Sequence, residues 1–105
     1  MKLSDEYIKY YEEYRKFENT EQEIRKKLLK IVQLFDSQCR YIENFNLYSD
    51  NSFIEVDYYQ YCYRNEYDIC YETIPIEFLD MSMDEIKVKV SEILEQRPNE
   101  KTKSR

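Results

Sequence analysis

No glycine, histidine, tryptophan or alanine occurs anywhere in the 105 residues, and each absence removes chemistry. Without histidine there is no imidazole general base, no Ser-His or Cys-His nucleophile pair and no imidazole metal ligand. Without glycine there is no phosphate-cradling P-loop and no dinucleotide fingerprint, because both need backbone positions that a Cβ would obstruct. Proline is confined to Pro75 and Pro98, so no proline interrupts a helix before residue 75. The dearth of alanine, glycine and proline beside plentiful lysine, isoleucine, asparagine and tyrosine matches an AT-rich coding bias, which bears on origin and not on chemistry. Long apolar runs are also missing. The longest, Leu28 to Phe35, is interrupted by Lys30 and Gln33 and cannot span a bilayer. Met1 to Glu13 is charged and tyrosine-rich, without the apolar stretch of a secretory signal. Three cysteines (Cys39, Cys62, Cys70) suit a reducing compartment better than a disulfide framework, so a cytoplasmic protein is expected.

What is present is enough for one small folded domain. Isoleucine, leucine, valine and phenylalanine total 26 residues, too many for a disordered chain. Ser4 reads as a helix N-cap, with Leu3 and Ile8 at staple spacing. From there, apolar residues recur in alternating steps of three and four: Tyr7, Tyr10, Tyr14, Phe17, Glu21, Ile24, Leu28, Ile31, Phe35, Gln38, Ile42 and Phe45. Only Glu21 and Gln38 interrupt this heptad-like seam. Acid-first pairs at i,i+4 (Glu12–Lys16, Glu21–Arg25, Glu23–Lys27, Asp36–Arg40) support it by roughly 0.2–0.5 kcal/mol each. One helix over about 4–45 is expected. Asn19 followed by the capping box Thr20-Glu21-Gln22-Glu23 would instead give a helical hairpin, but the seam keeps its register across them. Ile24, Leu28, Ile31 and Phe35 form its most apolar part, which is either intrachain core or the seam of a self-associating coiled coil.

After a loop over Asn46 to Ser52, residues 53–76 alternate with period two and predict a β-hairpin. The even positions (Ile54, Val56, Tyr58, Gln60 and Cys62, then Cys70, Glu72, Ile74, Ile76 and Phe78) are the more apolar and should face the helices. Keeping both even sets on one face requires opposed positions with an even sum. Cys62 against Cys70 satisfies this with a turn at Asn65-Glu66-Tyr67. The other face then gathers Tyr59, Tyr61, Tyr63, Tyr67 and Tyr71, bordered by Glu55, Asp57, Glu66 and Asp68. Tyrosine offers rigid contact area with a polar tip and is enriched at interfaces, but it is also simply a good strand former. The candidate partner-binding set is therefore Glu55, Asp57, Tyr59, Tyr61, Tyr63, Glu66, Asp68 and Tyr71.

Pro75 ends the second strand or opens an extended connection. Ser82-Met83-Asp84-Glu85 is a capping box with Met81 and Ile86 at staple spacing. It starts a helix over about 82–96 whose stripe is Ile86, Val90, Ile93 and Leu94. Residues 98–105 read as a disordered tail. The expected fold is thus α+β, a single domain over 1–97: a long N-terminal helix, a two- to three-stranded antiparallel sheet and a short C-terminal helix. Three scattered cysteines without CxxC spacing or histidine make a poor zinc site, and no spacing selects a carboxylate pair. No metal, no cofactor and no enzymatic activity are expected.

The charge of −6 is unevenly spread. Residues 50–85 carry ten acidic side chains and one basic one, Arg64, whereas 3–49 are nearly neutral and 86–105 carry a net +3. Such a segment repels nucleic acid and attracts basic surfaces, although acidic residues also keep a small sheet soluble and unpaired at its edges. The layout of a long charged helix, the stretch YYQYCYRNEYDICYE and an Ile-Pro-Ile-Glu-Phe-Leu run before a short helix resembles small phage-encoded proteins of the anti-CRISPR and anti-defence inhibitor type. That resemblance implies a bacterial host cytoplasm and binding to a host nuclease or its ribonucleoprotein complex. Two functions follow as expectations: an inhibitor or adaptor that engages a basic, nucleic-acid-handling protein through the acidic tyrosine-rich hairpin, without touching nucleic acid or membrane, or an assembly protein dimerising through the long helix.

Overall fold

The computed structural model describes residues 2–48, 50–61 and 67–97. The fold is α+β. Helix α1 (Leu3–Phe35) leads into three strands, β1 (Cys39–Tyr48), β2 (Phe53–Tyr61) and β3 (Tyr67–Pro75). A 3-10 turn at Ile76–Asp80 and helix α2 (Met83–Gln96) complete it. The sheet is antiparallel with strand order β1-β2-β3.

α1 is one unbroken helix through Asn19 and Thr20. Its N-cap is Lys2, with no side-chain cap, so Ser4 lies inside the helix and not at its cap. It also ends ten residues earlier than the seam predicts. Asp36 stops it: the Asp36 N–H still bonds Val32 O, but its carboxylate Oδ1 accepts from Gln38 N–H at 2.9 Å and its carbonyl from Cys39 N–H at 3.0 Å. A side chain that bonds the backbone two residues on offers the chain a turn in place of another helical one. Residues 39–48 then form β1 instead of the expected helix end. Ile42 and Phe45 keep the three-residue helical spacing only because β1 holds two register shifts, between Cys39 and Tyr41 and between Ile42 and Asn44. The first bulge lets Cys39 and Ile42 both point inward and the second does the same for Ile42 and Phe45.

β1 turns into β2 through Asp50, Asn51 and Ser52, a shorter connection than the loop expected from Asn46. Asn51 has φ 67°, the left-handed conformation that asparagine takes most readily in a chain without glycine. Between β2 and β3 the even sum is kept but the register differs. Tyr58 opposes Cys70, and Tyr61 opposes Tyr67, so Cys62 is not opposite Cys70, and Tyr67, expected in the turn, is the first residue of β3. Cys62, Tyr63, Arg64, Asn65 and Glu66 lie outside the described residues, as does the tail from 98 onward.

The even face carries the core. Ile54, Val56, Tyr58 and Ile74 pack with Leu28, Ile31 and Val32 of α1, Cys39 and Ile42 of β1, Phe78, and Ile86 and Val90 of α2. Leu94, expected in the α2 stripe, is exposed. The capping box of α2 forms as read: Ser82 N–H donates to Glu85 Oε1 at 3.1 Å and Glu85 N–H to Ser82 Oγ at 3.2 Å. Polar side chains lock the layers together. Lys27 donates to the carbonyls of Leu79 (2.9 Å) and Met81 (2.6 Å). Arg97 pairs with Glu72 at 2.6 Å and lies 5.1 Å from the Phe35 ring centre. Arg25 donates to the carbonyls of Ile42 and Glu43, and Gln33 to that of Cys39.

One buried polar group joins helix end and sheet. The Tyr58 hydroxyl donates to Asp36 Oδ2 at 2.8 Å, and Gln60 Nε2 donates to the same oxygen at 2.9 Å. Burial, then the hydrogen bond to Asp36, raises the Tyr58 pKa; burial also pushes the Cys39 thiol up to about 11. The unfolded chain releases these protons near their ordinary values, about 8.5 for cysteine and 10 for tyrosine, while the folded chain holds them. Stability is therefore complete below about pH 8.5 and falls as pH rises through 9 to 11, because the unfolded state binds fewer protons there. Urea midpoints measured at neutral pH and above pH 10 should show that fall, and Tyr58→Phe should make it shallower. An unchanged midpoint would contradict the burial of both groups.

Candidate functional site

Among the described residues, no element covers the odd face of the sheet, opposite the core. The strand register lays its residues out in rows. Tyr41, Tyr59 and Ile69 form one row, Asn44, Asp57 and Tyr71 the next, and Asn46, Glu55 and Thr73 a third. Tyr48, Phe53 and Pro75 close the series. Tyr71 keeps 68% of its surface exposed, Tyr41 50% and Ile69 48%. Glu55 and Asp68 are exposed, and Asp57 and Tyr59 are half-buried between their neighbours. Tyr41 and Tyr59 meet across strands with ring centres 4.9 Å apart and planes at 38°, a tilted contact of the kind aromatic pairs favour.

Of the expected partner-binding residues, the structure brings Glu55, Asp57, Tyr59 and Tyr71 onto this face, whereas Asp68, opposite Gln60, belongs to the even rungs and so to the other face, at the end of β3. Tyr63 and Glu66 lie outside the described residues, and Tyr61 is described only by its place opposite Tyr67. Tyr41, Glu43, Tyr48 and Phe53 were not in the expected set. Tyr41 and Glu43 fall in the stretch expected to be helical; their signal is the run of tyrosine, isoleucine, phenylalanine and two asparagines over 41–48, poor helix formers that the continuing seam outweighs.

The electrostatics of the face are acidic. Glu43 sits beside Tyr41 in the bulge, and the Tyr41 hydroxyl pKa is raised by packing against its neighbours, then by the charges of Glu43 and Tyr59 and their hydrogen bonds. A phenol held neutral in this way stays a hydrogen-bond donor. Aromatic area ringed by carboxylates suits the stems and head groups of arginine and lysine, whose charges meet the carboxylates while the guanidinium or aliphatic stem lies on a ring. Among the described residues, no group of three or more histidine, cysteine, aspartate or glutamate side chains could hold a metal ion, and no helix is long and apolar enough to cross a membrane.

The expected oligomer seam lies elsewhere. Leu28 and Ile31 have no exposed surface, and Ile24 and Phe35 pack partly buried against the same core. Leu28 and Ile31 are thus taken up wholly by the chain's own core, and Ile24 and Phe35 in part. No protein-family model, curated protein or solved structure matches this chain.

Proposed function

We propose that the bare acidic, aromatic face of the sheet docks a basic surface on a protein that handles nucleic acid, such as a defence nuclease or its ribonucleoprotein complex, and inhibits it by occupying a site that phosphates would otherwise use. The observation that supports this reading best is the combination on one open face of Tyr41, Tyr59 and Tyr71 with Glu43, Glu55 and Asp57. Tyrosine is enriched at protein interfaces, and the carboxylates steer the encounter with a positive partner. Nucleic acid itself is repelled by such a face.

The test is capture from bacterial lysate on the immobilised chain, with elution by salt and, separately, by duplex DNA. The reading requires a captured basic protein that either treatment releases. Charge reversal at Glu43 and Glu55 should weaken its retention by roughly tenfold or more, while both exposed positions leave the fold intact. A partner that is retained equally by the charge-reversed chain, or that DNA fails to displace, would refute the reading.

A further inference from the structure

The docking face leaves the outer half of α1 unused. From Leu3 to Glu23 every residue is exposed. The seam that Ile24, Leu28 and Ile31 carry into the core continues along this half as Leu3, Tyr7, Tyr10, Tyr14 and Phe17. Leu3 is 82% and Phe17 76% exposed. With the adjoining Tyr11, which stacks on Tyr7 at 6.4 Å, the stripe exposes on the order of 700–800 Å². That exceeds the roughly 300–600 Å² of the largest patch on an ordinary monomer and matches the roughly 800 Å² per partner of a standard stable interface.

We propose that this half-helix pairs with the same half of a second copy of the chain, antiparallel and about a twofold axis. The geometry of the seam selects both the occupant and its direction. Because the stripe enters the core at Ile24, it faces the side on which the sheet and α2 lie. A helix laid along it has room from Leu3 to about Glu21 and is stopped by the body of the domain. In a parallel pair the second helix would have to run into that body at its own Ile24. In an antiparallel pair it ends there, and its own body lies beyond Leu3 of the first copy. The free segment of a second copy is itself the length of the slot.

Centred on Glu12, this pairing sets Tyr7 of one copy against Phe17 of the other and Tyr10 against Tyr14, so every aromatic in the stripe meets an aromatic. The flanks agree with it. The stripe is bordered by Glu6 and Glu13 on one side and Glu18 on the other. The antiparallel register places Glu6 near Thr20 and Glu18 near Ser4, leaving one meeting of like charges, Glu13 with its own copy at the axis. A parallel pair would set Glu13 against Glu18 on both sides. The interface is isologous, so it closes at two copies and does not propagate. Two 33-residue helices overlapped in this way make a rod about 70 Å long with one sheet at each end.

Sedimentation equilibrium of the full chain at high micromolar concentration is expected to give twice the 13.1 kDa chain mass. Phe17→Glu combined with Tyr10→Glu should raise the dissociation constant on the order of a hundredfold and leave the thermal unfolding of the domain body in place, since both positions are exposed. Tyr7→Cys mixed with Phe17→Cys should cross-link on mild oxidation, located by peptide mapping apart from the native cysteines, whereas Tyr7→Cys alone should not link to itself. A monomeric wild type, a dimer that survives the double substitution, or a Tyr7→Cys self-link would each overturn the proposal.

Discussion

Leu28→Ala is expected to cost about 3–4 kcal/mol of folding free energy, and Phe17→Ala, one and a half heptads earlier on the same seam, to leave the stability of the domain body within about 0.5 kcal/mol. Leu28 has no exposed surface and packs between the sheet and α2, so truncating it removes buried area and opens a cavity that the surrounding strands can only partly close. Phe17 has 76% of its surface in solvent and leaves no cavity behind. For a domain of this size the Leu28 change corresponds to a drop in melting temperature of roughly 12–20 °C. Thermal melts of the two variants, run at a concentration low enough to keep the chain monomeric, separate the halves of the seam by their effect. Equal losses would mean that the outer half of α1 is packed within the monomer.

Asp36→Ala should be nearly as costly, about 2–4 kcal/mol in urea unfolding, because one carboxylate serves three donors at once. Its removal leaves the buried Tyr58 hydroxyl and the half-buried Gln60 amide without their acceptor, and also frees the Gln38 N–H. The penalty for an orphaned buried donor is larger than the net value of the bond it made. Combining Asp36→Ala with Tyr58→Phe therefore should cost less than the sum of the two single changes, with a coupling of about 1 kcal/mol or more. Strict additivity would show that the two side chains act independently and that the hydrogen bond contributes little.

These two residues mark how far the sequence could be read. Local signals were legible. The Ser82–Glu85 capping box started α2 where the spacing placed it, because both partners lie within one turn. The parity of β2 and β3 was legible because side chains alternate with period two, and that alone puts Glu55, Asp57, Tyr59 and Tyr71 on the outer face. The register itself was not, since it depends on the chain between Tyr61 and Tyr67 and on what packs beneath, and shifting it by an even step costs no pattern. β1 was hidden for a related reason. Two bulges replace its alternation with a three-residue spacing that continues the helical seam through Ile42 and Phe45, and only Asp36-Ser37, a turn-forming pair after Phe35, and the poor helix formers over 41–48 mark the change. With β1 went Tyr41 and Glu43, and so a third of the outer face. The seam showed its apolar period but not which half was covered, because coverage depends on the sheet lying over Leu28 and not on the helix.

The bulges of β1 have a further consequence, which concerns how the sheet could grow. A new strand needs a row of outward backbone donors and acceptors in regular phase. On β1 the two register shifts break the phase, and the side chains of Arg25 and Gln33 already take the carbonyls of Cys39, Ile42 and Glu43. An added strand would find regular spacing only from Asn44 to Tyr48. β3 pairs with β2 without a shift from Pro75 to Tyr67, so its far edge keeps regular phase until Pro75, which lacks a donor. The sheet is thus directional: α1 takes up the first half of the β1 edge by supplying bonds a neighbour would make, and a strand from another chain finds its longer regular edge on β3.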